Sequence, residues 1–511
     1  VQGLAEVRYK SQAVRPTDPD TGKPFPATPL EKGPRAVKQY FNANCLRKSQ
    51  LLDLTTPGNS GGPYEIYSGA RYGGPITAGP PNLPPCGYDA PELQEAYGFT
   101  ALYKQKLNGS GQNIAIVDAY GSDTITADAN AFAQINNLPA LNTNNFAIFY
   151  PTGATSCGNA TGAGCGWDVE TSIDVEWSHT VAPQAGIALV IAANDFDYSL
   201  DLSLLFAVET QIAPVVSNSW GGAESALLAG DPGELIVENN ICETAAALGV
   251  SVNAASGDDG DLKAEEKAPT VLMPAASPYA TGVGGTSVFL NSKHAVVLQT
   301  GWGNNITRIA TCSAYYAGIC SPPYDPVLLT PDLEGFEYGA GGGPSAYWPK
   351  PAFQGKVTGT FRQTPDIAYV ADPWTGVEVI DSESGSQFIT TVGGTSLATP
   401  VFSGMWAIAT QAAGEWLGQA APLLYTLPAS AINDIVPVNG PDNVSGFTDS
   451  PPSAPNNYSA AALVAPLENP VDSVDFMSLL YQGVSSRWYA LSFGTDTSLF
   501  TATGWDNVTG L

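Results

Sequence analysis

From about Ala90 onward, short apolar runs alternate with longer stretches of helical pattern, and this constrains the fold more than any other feature of the chain. "QNIAIVDAY" reads as a buried strand ending at Asp118, "TADANAFAQINNL" as a helix, "GIALVIAAN" as a strand and "LLFAVETQI" as a helix. "APVVSNSWGG" is a strand running into a glycine turn, "PGELIVENNICETAAALG" a helix and "VSVNAASGDDG" a strand. "SQFITTVGGTS" then reads as a strand and "ATPVFSGMWAIATQAAG" as a helix. Such alternation implies an α/β fold, a parallel β-sheet with helices on both faces. In sheets of this kind chemistry gathers beyond the carboxyl ends of the strands. Asp118, Ser219-Trp220-Gly221, Asp258 and Ser396 all fall at such ends.

Residues 1 to about 85 are different. "VRPTDPDTGKPFPATPLEKGP" and "YGGPITAGPPNLPPCG" are rich in proline and glycine and have no periodicity, which reads as an irregular, extended arm or linker. "PELQEAYGF" then opens the ordered part as a short helix with proline near its start. The first residue is Val1 and no signal peptide follows it, so a processed or trimmed chain is expected.

The formal net charge is −28, from 48 acidic and 20 basic residues, which leaves no basic patch for nucleic acid. No apolar run approaches the roughly 20 residues of a membrane span. Scarce cations also suit work in acid, because few positive charges remain to repel one another once carboxylates neutralise. The bland alternative is a merely soluble acidic surface. The seven cysteines include no CxxC pair and so no zinc pattern. Cys157/Cys165 and Cys312/Cys320 each flank a short loop that a disulfide could close, and Cys45/Cys86 could form a third. Cys242 lies in an apolar helical stretch and reads as a buried free thiol. The pattern favours an oxidising, secreted setting.

"TVGGTSLATP" is a strand, a Gly-Gly break and Ser396 at the start of a helix, with Pro400 in its first turn. Proline is tolerated there. Backbone N–H groups and the dipole at a helix N-terminus favour a developing oxyanion, although a serine at this place can also be a simple cap. A serine nucleophile needs a base. The chain has only two histidines, His179 and His294, and neither lies in a recognisable catalytic motif. The alternative base is in "WDVETSIDVEW": Glu170 and Asp174, four apart, share one helix face. Paired carboxyls can share a proton, so that one pKa rises and the other falls. The competing reading is a solvated acidic face extended by Asp168 and Glu176. In "NAASGDDG", Asp258 ends a strand where it faces either a turn role or the oxyanion, and the second role requires it to be protonated.

Together "GGTSLATP", "ETSID", "AASGDDG", "SNSWGG" and "DVEWSHTVAP" resemble the sedolisins, the serine-carboxyl peptidases, in the family's order from about residue 87 to the C-terminus. The resemblance implies a subtilisin-like fold and an acid-acting peptidase in which Ser396 is the nucleophile, Glu170 the base, Asp174 its orienting partner and Asp258 the oxyanion donor. Asp118 would stand behind the triad. Ser219, Trp220 and Gly221 would bind substrate backbone by β-pairing, and His179 would be structural. The resemblance also implies one Ca2+ held by Asp434, Ile435, Ala502, Gly504 and Asp506, in "NDIVP" and "ATGWDNVTG". Ala502 stands where the family pattern has glycine. The long segment between Ile435 and Ala502 would form an extra lobe.

Sedolisins carry a large prodomain, and residues 1–85 would be its C-terminal remnant and linker, released by a cut near "PPCGYDA", with residues 86–511 the catalytic domain. The expected partners are protein or peptide substrates and the chain's own prodomain, with a monomer as the working form. An endopeptidase is expected, and a tripeptidyl-peptidase is the alternative within the family. Outside it stand an ordinary Ser-His-Asp enzyme using Asp118 and a histidine, and a non-catalytic binding protein on the same fold.

Overall fold

The computed structural model describes residues 7–18, 22–24, 27–29, 71–72, 85–155, 166–290, 294–310, 327–383, 385–437, 443–448, 458–459, 474–482, 487–494 and 498–511. Its centre is a sheet of eight strands: β1 (Asn113–Ala119), β2 (Phe146–Phe149), β3 (Gly186–Ala192), β4 (Val215–Asn218), β5 (Ser251–Ala255), β6 (Thr281–Leu290), β7 (Val296–Gly301) and β8 (Ile367–Val370). The spatial order is β2-β3-β1-β4-β5-β6-β7, with β8 also paired to β6. Every pairing is parallel except β6 with β7. The chain leaves β3 on one side of β1 and re-enters at β4 on the other. The strand order therefore reverses at β1, the place where α/β sheets open a crevice.

Alternation along β1 shows how the sequence makes two cores. Ile114 and Ile116 face one core with helices α1 (Ile125–Ile135), α2 (Asp168–Val181) and α5 (Thr395–Ala413). Ala115, Val117 and Ala119 face the other, with α3 (Asp197–Glu209) and α4 (Pro232–Ala247). Side chains that alternate faces with period two, apolar on both, give a strand covered by helices on either side. Cys242 of α4 is a buried free thiol in the second core. The three disulfide pairings each involve residues outside the described set. On the first face α2 and α5 approach closely at Gly404, where a Cβ would lie 2.8 Å from Val181 Cβ.

One reading of the sequence needs correction, and one strand went unread. The strand leading to Ser396, Ser386–Val392, is not in the parallel sheet; it forms an antiparallel hairpin with Val377–Glu383, and Phe388 and Ile389 pair with Pro29 and Thr28 of the arm. A strand before a nucleophile turn looks the same in sequence whichever sheet it joins. Conversely β6, "TGVGGTSVFL", is hidden by its glycines, which are packing devices: a Cβ on Gly285 would lie 2.6 Å from Ala371 Cβ and 2.8 Å from the Trp302 ring.

The described strands of the long C-terminal insertion, Asn443–Thr448, Tyr458–Ser459, Val474–Gln482 and Arg487–Gly494, join Gly303–Ala310 and Val327–Gly339 in a separate six-stranded sheet. Asp89 and Glu92 form a reciprocal capping box around the helix Ala90–Ala96. No helix among the described residues is long and apolar enough to cross a membrane.

Candidate active site

Helix α2 is the unusual element. A helix carrying Glu170, Asp174 and Glu176 would ordinarily turn that face to water, yet all three are buried, as is every residue from Glu170 to Val181. The solvated-face reading is excluded. Buried carboxyls need partners or protons. Glu176 accepts from the Ile380 N–H at 3.1 Å, across the helix from the site. Asp174 Oδ1 accepts from the Ser219 hydroxyl at 2.7 Å. Asp118, at the carboxyl end of β1, is fully buried beside Asp174 and is pushed up to about 7 by burial, with Asp174 and Thr171 opposing. Burial and then the Asp118 charge push Glu170 up to about 8, while the hydrogen bond from Ser11, and then Ser396 and the Gln12 backbone nearby, pull the other way. Burial, then Asp118 and Glu170, hold Asp174 well above the usual carboxylate range. Asp118, Asp174 and Glu170 thus stand as one buried ladder of carboxyls beside Ser396, with the Ser219 and Ser11 hydroxyls as its hydrogen-bond donors.

Ser396 is buried in the first turn of α5. Its hydroxyl donates to the Ser219 carbonyl at 3.3 Å. Gly394, the residue that caps α5, has φ +110°, a left-handed backbone that favours glycine. A Cβ here would fall on the Gln12 carbonyl oxygen and lie 2.7 Å from Asp258 Oδ2, so those two oxygens face one point beside Ser396. Asp258 Oδ1 accepts from Thr395 N–H at 2.7 Å and from the Thr395 hydroxyl at 2.8 Å. Its Oδ2 has no hydrogen-bond partner among the described residues. Burial is the main cause that raises the Asp258 pKa well above the usual range, with Asp259 and Glu170 adding to it and Thr395 opposing. A protonated Oδ2 is a donor aimed at that point, and Ser396 N–H is a second.

Residues 9–14 of the N-terminal arm lie in this crevice. Tyr9 N–H donates to the Asp195 carbonyl, Lys10 and Ser11 pair antiparallel with Gly221 and Trp220, and Gln12 N–H donates to the Ser219 carbonyl at 3.2 Å. The Gln12 carbonyl accepts from Ser396 N–H at 3.4 Å. Beyond it, Val14 and Gly393 exchange both backbone hydrogen bonds, at 3.1 and 2.8 Å. The Ser11 hydroxyl donates to Glu170 Oε2 at 2.6 Å. Residues 8–14 of the arm are therefore an extended peptide tied to the body of the protein on both sides of the Gln12–Ala13 bond.

The structure thus brings together Asp118, Glu170, Asp174, Ser219, Trp220, Gly221, Asp258 and Ser396. The histidines stand elsewhere: His179 is bonded through Nε2 to the Pro139 carbonyl at 2.6 Å, and His294 lies 3.6 Å from Glu92. Sequence reasoning missed the Ser219 hydroxyl as a partner of Asp174, and Thr395 as the anchor of Asp258. Thr395 is adjacent to Ser396 in the motif, but nothing in the sequence links it to residue 258.

Of the residues expected to hold calcium, Asp434 meets the C-terminal turn that carries Ala502, Gly504 and Asp506. Asp434 Oδ2 accepts from Gly504 N–H at 2.9 Å, and its Oδ1 is buried with no hydrogen-bond partner among the described residues. Asp506 accepts from Ala502 N–H, Val508 N–H, Thr509 N–H and the Thr509 hydroxyl. The orphaned Asp434 oxygen is an acceptor of the kind a calcium ion takes, whereas both Asp506 oxygens are already bonded, so Asp506 would exchange its Ala502 contact for the metal.

A model of the subtilase family matches residues 153–447. Kumamolisin of Bacillus sp. (strain MN-32) is 31% identical over 372 residues, which is 70% of this chain and 58% of that protein. Sedolisin of Pseudomonas sp. (strain 101) is 27% identical over 68% of this chain and 55% of its own length. Xanthomonalisin of Xanthomonas sp. (strain T-22) is 26% identical over 73% and 46%. The chain thus spans about half the length of these relatives. Among solved structures, a complex of Pseudomonas sedolisin, a serine-carboxyl proteinase, with two molecules of pseudo-iodotyrostatin superposes with a TM-score of 0.57. It has 22% identity to this chain, and the match covers 83% of this chain and 94% of that one, which fixes the α/β fold. By the family match and the relatives together, the chain belongs to the subtilase family, in its sedolisin group.

Proposed function

We propose that the chain is an acid-acting serine-carboxyl peptidase that cuts protein or peptide chains internally through an acyl-enzyme on Ser396. The observation that carries this reading is the seat of residues 7–14: a peptide in extended form, with the Gln12 carbonyl at Ser396 N–H and backbone pairing on both sides of one bond.

In this reading Ser396 Oγ attacks the carbonyl carbon of the residue standing where Gln12 stands, and its proton passes to Glu170. The carbonyl oxygen becomes an oxyanion between Ser396 N–H and protonated Asp258 Oδ2. Collapse of the tetrahedral intermediate breaks the C–N bond, and Glu170 returns the proton to the leaving amine. Water then repeats the two steps on the acyl-enzyme. The ladder makes a carboxylate base available in acid. The first proton to leave Asp118, Asp174 and Glu170 leaves behind a charge that its neighbours and Ser219 hydrogen-bond. Burial pushes Asp118 up to about 7, and burial together with the Asp118 charge pushes Glu170 up to about 8, so a second ionisation in the set is disfavoured once a first has occurred. The mechanism requires one charge of the ladder to be held in acid by the Ser219 and Ser11 hydroxyls against the burial that opposes it, where an imidazole would already be protonated and Asp258 still donates.

Internal cleavage is favoured over tripeptide release by the path of the arm. The chain runs past the third residue before the bond, through Tyr9, Arg8 and Val7, with Val7 and Asp197 bonded by 3.0 and 3.2 Å contacts. A tripeptidyl-peptidase needs a wall where this cleft continues. The arm itself reads as the tail of a prosegment, and the bond seated at Ser396 is Gln12–Ala13, not one near "PPCGYDA", where Tyr88 is buried and its hydroxyl bonds the Val288 carbonyl. Calcium would be held by Asp434 and Asp506 carboxylates with carbonyls of Ile435, Ala502 and Gly504, and would pin the C-terminal turn without entering the chemistry.

The test is incubation of the full chain at pH about 4 with a protein substrate. The expected result is substrate cleavage with a new N-terminus at Ala13, both lost in Ser396→Ala and in Glu170→Gln. Cleavage by either variant at the normal rate overturns the assignment, and binding of substrate without any cleavage by the unaltered chain would favour the non-catalytic reading.

A further inference from the structure

Tyr9, four residues before the seated bond, has a place built for it. Backbone pairing fixes its direction: the Lys10 side chain points out to Glu265 at 2.7 Å and Ser11 points in to Glu170 at 2.6 Å, so Tyr9 points away from solvent. The tyrosine is 1% exposed. Its ring stacks on Trp220, with centroids 5.4 Å apart and planes at 26°. Trp220 is a fixed wall, because its Nε1–H donates to the Val117 carbonyl at 2.8 Å. The second wall is the absence of a side chain at Gly222, where a Cβ would lie 2.5 Å from Tyr9 Cε1 and 2.8 Å from Cδ1. At the far end the Tyr9 hydroxyl donates to Glu238 Oε2 at 3.4 Å. Glu238 is fully buried on α4, and its Oε1 has no hydrogen-bond partner among the described residues. The carboxyls of Asp201, Glu234 and Asp197 lie around the same end.

We infer that this is a substrate subsite that selects an aromatic residue, and tyrosine above phenylalanine, four residues before the scissile bond, with Gly222 and Glu238 as its specificity-determining residues. The inference rests on the peptidase reading above. The physical case is the combination of a flat apolar slot with acceptor groups at its blind end. An aliphatic residue would fill the slot without stacking. Phenylalanine would stack but leave the carboxyl end without a donor, and only tyrosine satisfies both, since sites built to bond a hydroxyl discriminate against analogues lacking it. Neither Gly222 nor Glu238 touches the reacting atoms, so both can be altered while the ladder and oxyanion donors stay in place.

The experiment uses the full chain at pH about 4 and peptides X-Lys-Ser-Gln-Ala-Val, extended at both ends, with X as Tyr, Phe, Leu or Ala. The expected kcat/KM for Tyr exceeds that for Ala by at least about 10-fold and that for Phe by about 3- to 10-fold. Gly222→Ala should bring the Tyr/Ala ratio close to one by filling the slot. Glu238→Met, similar in volume but without an acceptor, should abolish the Tyr/Phe preference and keep the Phe/Ala preference, with a cooperative thermal transition showing that it folds. Cleavage of all four peptides at equal rates by the unaltered chain overturns the subsite and leaves the peptidase reading standing. Failure to cleave any peptide, or protein, overturns both.

Discussion

The hydroxyl of Ser219 offers a way to move one side of the pH profile alone. It donates to Asp174 Oδ1 at 2.7 Å in a fully buried setting, where nothing else described bonds that oxygen. A hydrogen bond to a charged group contributes about 1.5–3 kcal/mol. At about 1.4 kcal/mol per pH unit, Ser219→Ala should raise the first ionisation of the ladder by about 1–2 units. The sign follows from which form the bond favours. The hydroxyl stabilises the ionised ladder, so without it the base protonates at higher pH and activity is lost earlier on the way down. The alkaline limb belongs to Asp258, which must stay protonated and which Ser219 does not touch. The profile of kcat/KM, measured on a Tyr-Lys-Ser-Gln-Ala-Val peptide, should therefore narrow from the acid side only. Movement of both limbs together, or of the alkaline limb alone, would refute the separate ownership of base and oxyanion donor.

Thr395→Val is the mirror experiment: it removes the 2.8 Å bond that favours ionised Asp258, so the alkaline limb should move to higher pH with the acid limb unchanged, in the same assay. Gly394→Ala puts a methyl group between Asp258 Oδ2 and the reacting oxygen, on a backbone with φ +110°, and kcat should fall at least about 100-fold while circular dichroism stays native. Asp366→Asn leaves the fully buried Arg362 guanidinium without its carboxylate, now 2.5 and 2.7 Å away, and should cost about 3–5 kcal/mol in denaturant unfolding. Calcium chelation should lower the melting temperature of the unaltered chain, and Asp434→Ala should show the lower value with no further response to the chelator; an equal response in both would remove Asp434 from the site.

How legible this was in the sequence depended on whether a signal was local. Strands β1, β3, β4 and β5 are short apolar runs with polar ends, and their periodicity is visible without any neighbour. Glu170 and Asp174 share a face by helix geometry alone, and the turn at Ser396 is marked by its glycines. Their burial was not legible, because it comes from α5, which Gly404 lets approach α2. Strand β6 was obscured because its glycines answer to residues far along the chain, at Ala371 and Trp302. The pairing of Thr395 with Asp258 is a contact across 137 residues with no pattern to announce it. The arm looked structureless for a sound reason: its order is borrowed from the crevice, and nothing within residues 7–14 could have supplied it.

The pairing of Val14 with Gly393 bears on what happens after the arm is cut. The piece ending at Gln12 would be esterified to Ser396, while Ala13 onward remains joined to the same molecule and held beside the ester by that pairing. A newly freed amine at such effective concentration competes with water for the ester, and could simply remake the bond. An α-amino group has a pKa of about 7.7–8.0, so in acid it is almost wholly protonated and cannot attack. Acid would then act as a ratchet on self-cleavage: the same solution that keeps the serine supplied with a base silences the one nucleophile positioned to undo the cut.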